Sequence, residues 1–142
     1  MSIFLLKLVA SVFALTLFAF ASLQLNDPDP IMWAGFYILC ALVPLLLVFN
    51  IYYASLFWAA LAACVAQLCV AGPGAFEYSR YMAQEALMQA MNPDKPYIEE
   101  AREFSGVLIA LVCITLSAGV IRTYAIKRSL PSDINRDKFP TE

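Results

Sequence analysis

The sequence predicts an all-α integral membrane protein: an antiparallel four-helix bundle, plus one short amphipathic interfacial helix in the outer loop between spans 3 and 4. Three observations predict it. Four apolar stretches each approach the roughly 20 residues that cross a bilayer. None of them carries an Asp, Glu, Lys or Arg in its interior. Of the 142 residues, 62% are hydrophobic and 14% charged, more apolar surface than a soluble domain of this size can hide.

The first span runs from about Leu8 to Leu25, just after Lys7. Ala19-Phe20-Ala21 resembles a signal-peptide cleavage site. The apolar run continues past it to spanning length, so the expectation is a retained helix. Asn26-Asp27-Pro28-Asp29-Pro30 then interrupts the hydrocarbon. Asn26 is expected to end the first helix in a left-handed conformation. Pro28 fixes the turn, and Asp29 caps the next helix with Pro30 at its first position.

The second span covers Ile31 to Phe49. Its connection to the third, Asn50 to Tyr53, is short enough to force antiparallel neighbours. The third span covers about Ile51 to Ala71. Tyr52, Tyr53 and Trp58 suit an interfacial aromatic belt at one end, and Trp33 and Tyr37 suit one at the other. Small residues support helix contact in lipid. Here Ser55, Ala59, Ala63 and Gln67 of the third span are expected to meet Gly106, Ala110, Cys113 and Ser117 of the fourth.

Gly72-Pro73-Gly74 is expected to break the third helix. Residues 75–92 contain good helix formers and no Pro or Gly. On a helical projection Phe76, Met82, Ala83, Ala86, Leu87 and Ala90 gather opposite Glu77, Arg80, Gln84 and Glu85, with Tyr81 and Met88 on the polar side. This predicts the interfacial helix, ended by Asn92-Pro93-Asp94-Lys95-Pro96. The fourth span covers about Phe104 to Ile121. Residues 1–128 thus form one membrane domain, and 129–142 a polar cytoplasmic tail.

Orientation follows the Lys and Arg residues in the connections. Lys7, Arg122, Lys127, Arg128, Arg136 and Lys138 fall on the side of the termini; Arg80, Lys95 and Arg102 fall on the other. Asp27, Asp29, Glu77, Glu85, Asp94, Glu99, Glu100 and Glu103 all share that second side. Both termini are therefore expected to be cytoplasmic, in a bacterial inner membrane or a plasma membrane. The chain has no histidine, so no His-ligated haem, imidazole zinc site or His general base is expected. Cys40, Cys64, Cys69 and Cys113 all fall inside spans and read as small apolar packing residues. No basic aqueous patch suits a nucleic acid.

Chemistry concentrates at the outer end. A turn accounts for Asn26, Pro28, Asp29 and Pro30, but demands neither Asp27 nor Gln24. Before the fourth span, Glu99, Arg102, Glu103 and Gly106 recur at i, i+3, i+4 and i+7 and so share one face. Glu100 lies beside them. That face is expected to point into the bundle and to need partners at the lipid boundary, the simplest pairing being Arg102 with Asp27 or Asp29. The candidate cluster is Gln24, Asn26, Asp27, Asp29, Trp33, Glu99, Glu100, Arg102 and Glu103. It reads as a salt-bridged lock on the helix ends, as an oxygen-ligand site for a hard cation such as Ca²⁺ or Mg²⁺ or for a polar substrate, or as a docking surface.

Gln24-Leu25-Asn26-Asp27-Pro28-Asp29, followed by Trp33 and Tyr37, together with Glu-Glu-x-Arg-Glu-x-Ser-Gly at 99–106, resembles the transmembrane protein 220 family. The resemblance covers Gln24 to Tyr37 and Glu99 to Leu108, and extends to the four-span layout; residues 75–97 stand outside it. It implies a small polytopic membrane protein and marks the cluster as the place to watch. It implies no reaction, substrate or cofactor.

The leading functional expectation is a non-catalytic accessory or scaffold subunit. Its partners would be the lipid bilayer and other membrane proteins, its apolar helix surface buried against the latter. The alternative is a membrane-embedded enzyme or hard-cation site built from the outer carboxylates. A small dimeric transporter ranks third, because the central span residues include no ionisable carboxylate or base.

Overall fold

A computed structural model describes residues 3–26, 29–89 and 92–129, with side chains described over 4–26, 29–89 and 92–119. Four helices form: α1 (Ile3–Leu23), α2 (Pro30–Val48), α3 (Ala54–Tyr78) and α4 (Pro96–Ser129). A single 3-10 turn, Gln24–Asn26, follows α1. Among the described residues there is no strand. All four helices are long and apolar enough to cross a membrane. α4, at 34 residues, is about 51 Å long, against a hydrocarbon core of about 30 Å, so its ends project beyond it.

The helices pack as a rhombus. α1 pairs with α2, and α3 with α4, while α2 also touches α3 and α4. α1 and α3 occupy opposite corners and do not touch. Burial follows this layout: 39% of the α2 span is buried, against 17% of the α3 span. The core runs through Leu17, Cys40, Ala41, Ala60, Cys64, Val107, Ala110 and Ile114, all fully buried. Hydroxyls within the spans are satisfied locally. Thr16, Ser105, Thr115 and Ser117 each donate to a carbonyl one turn earlier, the arrangement open to a hydroxyl where no water is available.

The α2–α3 connection is as short as expected. Asn50 adopts φ 60. Its N–H donates to Leu47, and that of Ile51 donates to Leu46, both at 2.9 Å. These two bonds make a Schellman motif, with Asn50 at the left-handed position that needs a small polar residue or glycine. Among the described residues the left-handed conformation falls here and not at Asn26, because α1 ends by tightening into the 3-10 turn instead. Asp29 does take the N-cap position of α2, with Pro30 in the first turn, but its side chain makes no capping bond.

Three expectations change. First, Gly72-Pro73-Gly74 does not break α3; the helix continues through Pro73 to Tyr78. A proline deletes one backbone bond, and a packed membrane helix tolerates that loss. Gly74 is instead a contact point. A β-carbon there would lie 2.5 Å from the Glu100 β-carbon, so α3 and α4 approach closely only because residue 74 has no side chain. Second, the interfacial helix expected over 75–92 is not present among the described residues of that stretch. Residues 75–78 finish α3, and the chain beyond turns repeatedly, with Tyr81 N–H to Tyr78 and Gln84 N–H to Tyr81, each 2.8 Å. Ala90 and Met91 lie outside the described residues. Third, Trp33 and Tyr37 are not belt residues. They are 3% and 1% exposed, whereas Tyr52, Tyr53 and Trp58 are exposed as expected.

The small-residue stripe of α4 faces inward as read: Gly106, Ala110, Cys113 and Ser117 are buried. The α3 stripe is rotated. Ala60, Cys64, Ala71 and Gly74 are buried, and Ser55 and Ala59 are exposed.

Candidate functional site

The polar end is built from the last turn of α1, the start of α2, the first turns of α4 and the connection at 79–95. Beneath it lies an aromatic plug. Phe36 and Tyr37 meet edge to face at 5.0 Å, Phe20 and Tyr37 at 5.5 Å, and Trp33 and Phe36 at 5.9 Å. These arrangements set the positive ring edge against the negative face. Trp33 is positioned by helix start: its backbone N–H donates to the Asp29 carbonyl at 3.3 Å, and its ring drops into the core.

Of the sequence-predicted residues, Gln24 is half-buried, and Asn26 and Asp29 are exposed. Asp27 lies outside the described residues. Glu99, Glu100, Arg102 and Glu103 are all half-buried. The inward face at this level consists of Ile98 and Ala101, each 4% exposed, so the charged side chains flank that face and do not fill the bundle. Arg102 is not paired with Asp29; its Nη1 donates to the Gln89 carbonyl at 3.4 Å. Glu100 lies along α3 at Gly74. Among the described residues, no group of three or more Cys, Asp or Glu is arranged to hold a metal ion.

A different residue organises the connection. The Glu85 carboxylate pairs with Lys95 Nζ, and its second oxygen accepts from Gln89 Nε2 at 3.1 Å. Its backbone carbonyl accepts from Tyr78 Oη at 2.8 Å. Tyr78 ends α3 and Lys95 immediately precedes α4, so Glu85 joins the two helix ends across the turns between them. Tyr81 against Tyr97 (5.4 Å) reinforces the same clasp, while Arg80 over the Phe76 ring (5.1 Å) is a cation–π contact local to the end of α3. Lys95, and secondarily Gln89, hold the Glu85 carboxyl below its usual range. Glu85 in turn raises the Lys95 ammonium. The sequence reading placed Glu85 on the polar face of a helix and missed this role. The available signal was Glu77 and Glu85 before, and Lys95 within, the Asn92–Pro96 turn.

Chemically, this end is a clasp over an aromatic plug. Two glycine contacts, Gly74 to Glu100 and Gly106 to Tyr37, set the spacing of α3, α4 and α2 beneath it.

Comparison with known proteins agrees with this architecture. No curated protein matches the chain, and no solved structure does. The family described as Transmembrane family 220, helix, matches residues 16–119, well over half of the chain. The match begins inside α1, takes in both polar motifs and the clasp between them, and ends in α4. This chain therefore belongs to transmembrane family 220.

Proposed function

We propose that this protein is a non-catalytic accessory or scaffold subunit, with α3 serving as the surface that receives a spanning helix of a partner membrane protein. One observation carries the reading. Ser55, Ala59, Ala62, Ala66 and Cys69 recur every three or four residues on α3, and every one is exposed. They lie on the least buried of the four spans. Lipid tails are as well served by Leu as by Ala, so a lipid-facing stripe gains nothing from small side chains. A partner helix does gain, because small residues let two backbones approach. Trp58, Val65 and Val70 flank the stripe and are exposed as well.

The reading includes an orientation. Lys and Arg concentrate on the side of the two termini, which puts that side in the cytoplasm and the clasp on the outer face. A C-terminal reporter active only in the cytoplasm tests this; an inactive fusion at normal abundance reverses it.

The functional test is native mass spectrometry of protein extracted gently from its own membranes. A partner membrane protein at fixed stoichiometry, lost in Ala62→Phe but retained in a substitution of exposed Leu15 on α1, supports the reading. A chain that runs alone, or a partner retained by Ala62→Phe, overturns it.

A further inference from the structure

The middle of the bundle holds a feature that the accessory reading does not use. Cys40 of α2 and Cys64 of α3 face each other with Sγ atoms 3.9 Å apart. Both are free thiols and fully buried. Cys40 lies about 15 Å along α2 from its start, and so near mid-bilayer. Cys113 of α4 is buried in the same core cluster. Cys69, five residues from Cys64, faces outward.

Two observations distinguish this pair from ordinary small packing residues. The sulfurs are in direct contact across two different helices, aimed at one another. The separation needs to shorten by only about 2 Å to reach bonding distance. Closing it requires the two side chains to rotate and α3 to approach α2. The helix that must move is also the one with the smallest buried share.

We infer that Cys40 and Cys64 form a latent intramembrane disulfide, closed by a lipid-soluble oxidant of the quinone class. In the closing reaction both S–H bonds break and one S–S bond forms. The two electrons and two protons pass to the two carbonyl oxygens of the quinone, which leaves as the hydroquinone. A thiol donor reverses the step by exchange. The bond links α2 to α3 at mid-bilayer, where α3 otherwise depends on α4 and on a limited contact with α2. Oxidation thereby fixes α3 to α2 at mid-bilayer, and the reduced form leaves that contact free to adjust. The inference stands whether or not α3 receives a partner.

The test treats the full chain, in native membranes or in lipid nanodiscs, with duroquinone, whose fully substituted ring resists addition of thiols. Free thiols are then blocked under denaturing conditions and the protein is mapped by mass spectrometry. The expected result is a Cys40–Cys64 linked peptide that is lighter than the two free peptides by two hydrogen atoms and disappears on reduction. Cys113→Ala and Cys69→Ser should retain it, and Cys64→Ser should lose it. Recovery of Cys40 and Cys64 as blocked free thiols after treatment overturns the inference, as does a link made through Cys113 or Cys69. The two retaining variants keep the result readable even if Cys64→Ser fails to fold.

Discussion

Tyr37 lies over the backbone of Gly106, its hydroxyl and ring occupying the space that a β-carbon at 106 would need. Tyr37 is itself held between Phe20, Trp33 and Phe36, so it cannot swing aside. The contact brings α2 and α4 together along the short diagonal of the bundle. Gly106→Ala should therefore destabilise the protein by about 1–3 kcal/mol, the usual cost of overpacking. Tyr37→Phe shortens the offending side chain, so the double variant should lose less than the sum of the two single changes. Thermal unfolding of the four proteins in one detergent measures this; strictly additive losses would show that the two residues are not coupled.

Gly74 and Glu100 give a contrasting case. Here the clash of an added methyl includes the Glu100 β-carbon, at 2.5 Å, which any residue but glycine retains. Gly74→Ala should cost a similar 1–3 kcal/mol, roughly, and Glu100→Ala should not rescue it. Recovery of the wild-type melting temperature in Gly74→Ala/Glu100→Ala would place the constraint in the carboxylate and not in the helix spacing.

Asn50 closes α2 with positive φ. Asn50→Gly should be close to neutral, while Asn50→Ala should cost about 1 kcal/mol or slightly more, because a β-carbon disfavours that conformation. The same unfolding assay reads both. Equal effects of Gly and Ala would mean that the turn relaxes out of the left-handed region.

The Glu85–Lys95 pair gives the clasp a pH dependence. Glu85 has a lowered folded value, so its contribution is present above the unfolded carboxylate value of about 4.3 and is lost as pH falls through the folded value. Lys95 has a raised folded value. Its contribution is complete below the unfolded value of about 10.4 and is lost as pH rises through the folded one. Hydrogen exchange over 79–95 should thus be slowest, relative to intrinsic rates, between these limits. It should quicken under acid, and Glu85→Gln should remove the acid limb. An acid limb of unchanged size in Glu85→Gln would assign it to another carboxylate. Added salt should also quicken exchange, since the pair is partly exposed and open to screening.

What could be read in the sequence were properties that depend on the chain alone. Four uncharged apolar runs had to become four spanning helices, because lipid leaves a backbone no other way to satisfy its polar groups. Asp29-Pro30 had to start a helix, and the short Asn50–Tyr53 link had to fold back. The inward stripe of α4 was also legible, because Gly106, Ala110, Cys113 and Ser117 are small and recur every three or four residues on one face.

The tertiary structure decided what depends on neighbours. In water, Gly72-Pro73-Gly74 reads as a stop; against α4, Gly74 is the notch that Glu100 requires, and α3 continues. The 75–92 pattern suits an amphipathic helix, but Glu85 gains its Lys95, Gln89 and Tyr78 partners only when the chain turns. On α3, small residues occur both on the face toward α4 and on the opposite face, so composition could not choose between them and the predicted stripe was rotated. Trp33 and Tyr37 look alike in sequence whether they sit at a headgroup or under a clasp. Cys40 and Cys64 lie 24 residues apart. Only the packing of α2 against α3 sets their sulfurs in contact, since sequence spacing fixes the facing of residues within one helix and not the rotation of one helix against another.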